Sequence, residues 1–243
     1  MLKRQVQTAL RVLFPPTCSL CREPVESDFA LCGKCWRDVP AISGPICDQC
    51  GVPILSDADT PLSQCETCFT TARPWKQGRA AMLYSDIGRK LVLSLKHGDR
   101  PDLAPVLAPW LVQAGRDLIR EDTVITPIPL HRNRLLKRRY NQSALLAQHL
   151  ALKVKKPAVL DLLLRPKRTD PLDGVSVLER FERLQGAITP NPAKRDRAAG
   201  KSILIVDDVM TSGATLAAAT EACYAMGARQ VDVLVLARVS KDA

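Results

Sequence analysis

The segment 201–215, with the sequence KSILIVDDVMTSGAT, constrains the fold of this chain most strongly. Residues 202–206 are a short aliphatic run, which is typical of a strand buried in a parallel sheet. Two acids, Asp207 and Asp208, follow directly, and then a turn of small residues precedes a helical pattern over 216–226. Strand, turn and helix in this order predict a phosphate site, because the turn amides and the positive end of the helix dipole both attract an anion.

The turn consists of Thr211, Ser212, Gly213, Ala214 and Thr215. Three of these side chains carry hydroxyl donors, and a large side chain at the glycine would block the approach of a phosphate. The two preceding acids are placed where open α/β sheets bind ligands, and they suit sugar hydroxyls or a magnesium ion. The alternative interpretation is an exposed acidic turn that caps an ordinary helix.

This segment resembles the phosphoribosyl pyrophosphate (PRPP) motif of the type I phosphoribosyltransferases, in which two acids precede a Thr-Thr-Gly-like turn. The resemblance implies that Asp207 and Asp208 bind the 2′ and 3′ hydroxyls of ribose. It further implies that Thr211 to Thr215 hold the 5′-phosphate and that magnesium accompanies PRPP. No GxxxxGK[ST] sequence occurs in the chain, so the turn is not a Walker loop.

Charge is distributed unevenly along the 243 residues. Residues 1–70 hold six Lys or Arg against eight Asp or Glu, whereas residues 71–243 hold 29 against 17. The basic part suits a polyanion, and charge alone does not choose between PRPP and nucleic acid. No apolar run approaches about 18 residues, and residues 1–14 have the pattern of an amphipathic helix rather than of a signal peptide. We therefore expect a cytoplasmic protein without membrane insertion.

Eight of the nine cysteines form four CxxC pairs near the start of the chain. They are Cys18, Cys21, Cys32, Cys35, Cys47, Cys50, Cys65 and Cys68. The spacing within each half is that of a four-thiolate zinc site, and disulfides are the alternative. Because four thiolates leave no open position, we expect two structural zinc ions. Sequential pairing of the CxxC motifs is preferred, although a cross-braced arrangement fits the sequence equally well.

Alternating strand and helix patterns predict a mostly parallel α/β sheet for the remainder. The strand predicted over 123–130 should lie beside the strand 202–206. Between 131 and 142 the chain is strongly basic, and we predict a loop there. The other predicted elements are helices over 86–97, 102–119, 143–153 and 176–185, and strands over 157–165 and 231–239.

Taken in order, four features resemble the ComF family of competence-associated proteins, which join a zinc-ribbon head to a phosphoribosyltransferase domain. These features are the CxxC module, the segment 95–99 (LKHGD), the PIPL strand end followed by RRYNQ, and the VDD loop. The resemblance implies domains over residues 1–72 and 73–243. It also shows two departures, since Arg139 stands where the family usually has Gly, and Ser212 where Thr is usual. Arg139 would stiffen a loop expected to close over PRPP.

The resemblance implies transfer of a phosphoribosyl group with release of pyrophosphate, in which the protein positions the substrate and stabilises charge. Asp207, Asp208, Arg138 and Arg139 are the candidate catalytic residues. Lys96, Arg138 and Arg139 are assigned to pyrophosphate, and Tyr140, Asn141 and Gln142 complete that side of the site. Two other classes stay open: an accessory protein that binds single-stranded DNA and competence helicase or recombination proteins, and a PRPP-sensing regulator. The sequence names neither the acceptor nor the oligomeric state.

Overall fold

The computed structural model describes residues 14–54, 63–97, 99–167 and 177–240. The helix predicted over 1–14 therefore lies outside the described residues except for Phe14. The chain forms two compact units, Met1–Val39 and Pro40–Ala243. The second group of four cysteines belongs to the larger unit, and the predicted domain division after residue 72 stays a prediction. Across the described ranges, every helix is too short or too polar to cross a bilayer.

The smaller unit is built around its first two CxxC pairs. Its described part contains one short helix, α1 (Gly33–Arg37). The Cys32 side chain caps this helix by accepting a hydrogen bond from the Cys35 amide. The buried side chains in its described part are those of Cys18, Ser19 and Cys35, so this part depends on its cysteines for cohesion.

A parallel four-stranded sheet forms the centre of the larger unit. The strands are β1 (Gly78–Leu83), β2 (Thr123–Pro127), β5 (Ser202–Met210) and β6 (Gln230–Arg238), and they lie in the order β1-β6-β5-β2. They are almost wholly buried, as expected for a parallel sheet with both faces covered. β2 pairs with β5 from Thr123↔Ser202 to Pro127↔Val206, so the predicted neighbourhood of these two strands is confirmed.

Helices cover both faces of the sheet. On one face, α4 (Leu103–Ala114) packs against α6 (Gln142–Val154). On the other, α7 (Val177–Leu184) packs against α9 (Ala214–Ala225). The remaining helices are α2 (Glu66–Thr70), α3 (Asp86–His97), α5 (Arg132–Arg138) and the single turn α8 (Arg195–Ala198). The mostly parallel α/β fold predicted from sequence is therefore confirmed.

Two local predictions were wrong. The basic segment is not a loop, because α5 occupies most of it and none of its residues is buried. Its sequence contains no Gly, Pro or β-branched residue, and His131 caps it by accepting a hydrogen bond from the Asn133 amide at 3.2 Å. The strand predicted over 157–165 is reduced to β3 (Leu163–Leu164), which pairs antiparallel with β4 (Thr189–Pro190). Sequence analysis also missed β1 entirely.

The second cysteine group, Cys47, Cys50, Cys65 and Cys68, packs into the core of the larger unit. Three of its cysteines lie in the same apolar cluster as Trp75 and the inner side of α9. The indole Nε1 of Trp75 donates to the Gln49 carbonyl at 2.6 Å, and the Gly78 amide donates to the Asp48 carbonyl at 2.8 Å. This group is therefore part of the folded body that carries the sheet.

Candidate functional site

Two acids lie near the carboxyl end of the central strand β5. The strand continues to Met210, so the acids lie within it rather than after it as predicted. The Asp207 carboxylate accepts hydrogen bonds from Ser143 Oγ at 2.8 Å and from the Asp208 amide at 2.9 Å. Lys96 Nζ lies 3.1 Å from Asp208 Oδ2. These contacts hold both carboxyl groups near the carboxyl ends of the strands, where open α/β sheets bind ligands.

The buried position of Asp207 changes its acidity. Burial, and then the neighbouring Asp208 carboxylate, raise the pKa of Asp207 to about 7. The Lys96 ammonium and the hydrogen bonds from Ser143 and the Asp208 amide act in the opposite direction. Near neutral pH this carboxyl group is therefore poised between its two protonation states.

Residues 211–215, which we call the 211–215 loop, are the turn after β5 together with the first two residues of α9, and they line a cavity of about 150 Å³. Asp207 reaches the same cavity, together with Arg180 and Leu184 of α7. The apolar side chains of α9 are buried, so the helix is anchored and its N-terminus is fixed at this cavity. The arrangement offers turn amides, hydroxyls and a helix N-terminus to an anion.

Gly213 is required by both conformation and space. Its φ is 83°, in the left-handed region that favours glycine. A Cβ there would lie 2.9 Å from Trp75 Cη2 and 3.1 Å from Arg73 Nη1. From the sequence, Gly213 was predicted to give a phosphate access to the loop. The structure adds a second reason, because the side chains of Trp75 and Arg73 leave no room for a Cβ.

Two arginines that sequence analysis missed hold the loop from behind. Arg73 Nη1 donates to the Ser212 carbonyl at 2.5 Å. Arg238 Nη1 donates to the carbonyls of Met210 at 3.2 Å and Thr211 at 2.8 Å. Both arginines are distant from residue 212 in sequence, and no local pattern marks them.

A second cavity, of about 350 Å³, lies between α3 and α5; we call it the basic cavity. It is lined by Lys96, His97, Asp99, Arg134, Lys137 and Arg138. Burial, and then the charges of Arg138 and Lys96, lower the pKa of His97. Lys96 and Arg138 were assigned to pyrophosphate from the sequence, which stays a prediction, whereas Arg134 and Lys137 were not. Arg134, Lys137 and Arg138 lie three and four residues apart and so share one face of a helix. This spacing would have grouped them, had the segment been recognised as a helix.

The cysteines form two groups, each made of two consecutive CxxC motifs. The sulfur atoms of Cys18, Cys21, Cys32 and Cys35 lie within 4.8 Å of one another, and so do those of Cys47, Cys50, Cys65 and Cys68. Sequential pairing is therefore confirmed over the cross-braced alternative. Four thiols converging at this separation fit a tetrahedral zinc ion, whose Zn–S bonds are about 2.3 Å long. All eight are free of disulfide bonds.

Known protein families match both the cysteine-rich part and the C-terminal part of the chain. The Double zinc ribbon domain family matches residues 9–69, and the Phosphoribosyl transferase domain family matches residues 141–243. A DNA utilization protein YhgH from Salmonella typhi is 30% identical over 231 residues, covering 92% of this chain and 97% of that protein. The chain belongs to the ComF family.

Two further ComF relatives extend this similarity to other bacteria. Competence protein F from Haemophilus influenzae is 27% identical over 213 residues, covering 86% of this chain and 90% of that protein. Competence protein ComFC from Bacillus subtilis (strain 168) is 25% identical over 199 residues, covering 79% of this chain and 77% of that protein. Both parts of the ComF architecture, a double zinc ribbon and a phosphoribosyltransferase domain, are thus present in one chain.

Arg139, a departure of this chain from the ComF pattern, adopts the conformation that a glycine favours. It follows α5 with a φ of 66°. Its side chain is largely exposed and lies 3.2 Å from Asp99 Oδ2. Arg139 is therefore not among the residues that line the basic cavity, although its ion-pair partner Asp99 is.

The next three residues attach this ComF segment to the fold. The Tyr140 hydroxyl donates to the Leu95 carbonyl at 2.7 Å, which ties the end of α5 to α3. Asn141 caps α6 and donates from Nδ2 to the Ile128 carbonyl at 2.9 Å. Gln142 is buried. These contacts position the basic helix and the Ser143 hydroxyl, and ligand contacts by residues 140–142 stay a prediction.

Proposed function

We propose that this ComF protein binds magnesium-PRPP and transfers its phosphoribosyl group to a nitrogen acceptor. In this reaction the bond from C1′ to the pyrophosphate oxygen breaks, and pyrophosphate leaves with the electron pair. A bond from C1′ to the acceptor nitrogen forms, and the proton on that nitrogen passes to solvent. The observation that carries the proposal is the acid pair between two anion-attracting cavities, linked through the contact of Lys96 with Asp208.

Each part of PRPP matches one part of the site. The 5′-phosphate suits the 211–215 loop, with its amides and helix N-terminus. The ribose hydroxyls suit the carboxylates of Asp207 and Asp208, which are strong acceptors. The pyrophosphate suits the basic cavity, where Lys96 and three cations of α5 offer charge-assisted hydrogen bonds.

Carboxylate oxygens of the acid pair are ligands of the type that magnesium prefers, and magnesium bound with PRPP would supply positive charge to the departing pyrophosphate. The residues of the chain position the reacting centre and stabilise charge. Lys96 is a suitable link, because its ammonium contacts Asp208 and also lines the basic cavity. A cation at this position can stabilise negative charge on the acid pair and also on the leaving pyrophosphate.

Binding is tested by calorimetry with magnesium-PRPP. Asp208→Asn should weaken binding about tenfold or more, since it removes a charged acceptor for ribose. Arg229→Gln is a matched control, because Arg229 pairs with Asp122 at the other end of β5. An affinity for Asp208→Asn equal to that of the parent would reject the ribose assignment.

Transfer is tested by pyrophosphate release from PRPP in a screen of nucleobases and other amines. Release that depends on both an acceptor and Asp208 supports the enzyme. Tight PRPP binding without release from any acceptor would instead favour the PRPP-sensing regulator.

A second candidate function, binding of single-stranded DNA, is favoured by the exposure of α5. This helix carries Arg132, Arg134, Lys137 and Arg138, and none of its residues is buried. The names of the relatives, DNA utilization protein and competence protein, point in the same direction. We propose that α5 provides the contact to the DNA backbone and that helicase or recombination proteins are partners in DNA uptake.

This contact predicts a steep fall of affinity for an oligonucleotide with increasing salt. Arg132→Gln should reduce the salt dependence, because one phosphate contact is lost. Asp208→Asn is the control, since it changes the PRPP site and leaves the outer surface of α5 intact. Absence of binding at low salt would remove this candidate.

A further inference from the structure

Arg73 and Arg238 are buried cations without a carboxylate partner in the described parts of the chain. Only 7% of Arg73 and 6% of Arg238 is exposed. Neither arginine takes part in any of the ion pairs found among the described residues. Arg79 is buried to the same degree but pairs with both Asp48 and Asp117. Because burying a guanidinium without a carboxylate is costly, these two arginines depend on the carbonyls and the aromatic ring packed against them.

The second cysteine group lies against Arg73 through Trp75. Trp75 belongs to the same apolar cluster as Cys47, Cys50 and Cys68. Its indole donates at 2.6 Å to the carbonyl of Gln49, which stands between Cys47 and Cys50. Four thiolates around one zinc ion would fix this segment and, with it, the position of Trp75.

The same two arginines carry the backbone of the 211–215 loop. Arg73 donates to the Ser212 carbonyl, and Arg238 donates to the carbonyls of Met210, Thr211 and Val239. Trp75 completes the connection. The centre of its ring lies 5.6 Å from the Arg73 guanidinium carbon, and it would be the nearest neighbour of a side chain at Gly213.

We propose that Trp75 and Arg73 join the second cysteine group to the 211–215 loop, so that zinc in that group keeps the loop in its phosphate-binding shape. The ligand named here, the 5′-phosphate of PRPP, rests on the proposed function. Loss of zinc would free the segment around Gln49 and so release Trp75 and Arg73 from their positions behind the loop. The first cysteine group, Cys18, Cys21, Cys32 and Cys35, belongs to the other compact unit, and we expect its zinc to leave the loop unchanged.

The coupling is tested without any ligand by hydrogen exchange of the peptide covering residues 207–216. Arg73→Met should speed exchange of the loop amides about tenfold, because the loop loses a buried anchor. Arg73→Lys keeps the charge without the planar fork and should lie between the variant and the parent. Arg229→Met is the matched control and should leave this peptide unchanged. Parent-like exchange in Arg73→Met would overturn the proposal.

Zinc is tested by removing one cysteine from each group in the full chain. Cys65→Ala should lower the zinc content by one ion and speed exchange of the loop peptide, whereas Cys21→Ala should lower zinc equally and leave the peptide unchanged. Equal effects of the two variants would overturn the proposal. If Cys65→Ala does not fold, the comparison of Arg73→Met with Arg73→Lys decides.

Calorimetry with magnesium-PRPP then connects the loop to binding. Arg73→Met and Cys65→Ala should each weaken binding about tenfold, and Cys21→Ala should not. If the parent protein binds no PRPP, the proposed function fails, and the exchange experiment still decides whether zinc holds the loop. Parent-like affinity in both variants would overturn the coupling.

Discussion

Asp207 is a carboxyl group whose charge is opposed by its surroundings. Burial and the Asp208 carboxylate raise its pKa to about 7, whereas an aspartate in an unfolded chain has a pKa of about 3.9. Between these values the unfolded state has lost its proton and the folded state still holds it. The free energy of unfolding therefore falls as pH rises towards 7, and the contribution of this group is lost above it.

We predict that Asp207→Asn removes this dependence. Between pH 6 and pH 8 the free energy of unfolding of the parent should fall by about 1 kcal/mol more than that of the variant. The asparagine oxygen still accepts the hydrogen bond that Ser143 donates, so the comparison isolates the charge. Urea unfolding at several pH values measures the difference, and parallel pH profiles for the two proteins would contradict the raised pKa.

Arg139 illustrates a second constraint at a single residue. Its φ of 66° is unfavourable for a residue with a Cβ. We predict that Arg139→Gly is more stable than Arg139→Ala by about 1 kcal/mol, because both variants lose the exposed ion pair with Asp99 and only alanine keeps the strain. Chemical denaturation measures the difference, and equal stability would show that the conformation relaxes. Weaker PRPP binding by both variants would support the assignment of Arg139 to pyrophosphate.

The 211–215 loop is the element in which conformation and ligand binding meet most closely. We predict that Gly213→Ala destabilises the protein by about 1–3 kcal/mol and weakens magnesium-PRPP binding more than about tenfold. The new Cβ would press on Trp75 and Arg73 and displace the loop.

Gly200→Ala is the matched control for this variant. Gly200 has a φ of 68°, and nothing lies within 4 Å of an added Cβ. It should lose stability through backbone strain alone and retain PRPP binding. A loss of PRPP affinity in this control as large as that of Gly213→Ala would mean that the clash is not the cause.

Elements encoded by contiguous sequence were predicted well. The strand, acids, turn and helix over 201–226 follow one another in the chain, and their local patterns agree with the tertiary fold. Residues that reach the site from elsewhere were not predicted. Ser143, Arg73 and Arg238 meet the strand and loop only because the sheet order and the second cysteine group bring them there. A sequence pattern shows which residues are neighbours along a helix or strand, but it does not show which distant segments come into contact in the fold.

The conformation of the basic helix α5 was predicted wrongly for a different reason. The segment was predicted to be a loop because it has no apolar face to bury, and apolar periodicity is the main signal of a helix. The prediction of cationic function was independent of that error, since charge, not conformation, suggested it. Strand β1 was missed because the sequence GRAAML contains few β-branched or aromatic residues.

At the scale of the whole molecule, the zinc module and the transferase domain are less separate than the sequence suggests. Residues 40–72 contribute the second cysteine group, and the carbonyls of Asp48 and Gln49 receive hydrogen bonds from Gly78, Arg79 and Trp75. A chain beginning at residue 73 would lose these acceptors and expose the apolar surface around Trp75. The compact unit instead begins at Pro40.

We predict that a protein of residues 40–243 folds cooperatively, holds one zinc ion and binds magnesium-PRPP like the full chain. A protein of residues 73–243 should be less stable by at least about 3 kcal/mol, because three hydrogen bonds lose their acceptors at about 1 kcal/mol each and apolar area around Trp75 becomes exposed. Thermal unfolding and calorimetry compare the two truncated proteins directly. Equal stability and equal PRPP affinity would show that the predicted boundary after residue 72 is the physical one, and that Trp75 and Arg73 hold the 211–215 loop without help from the cysteines.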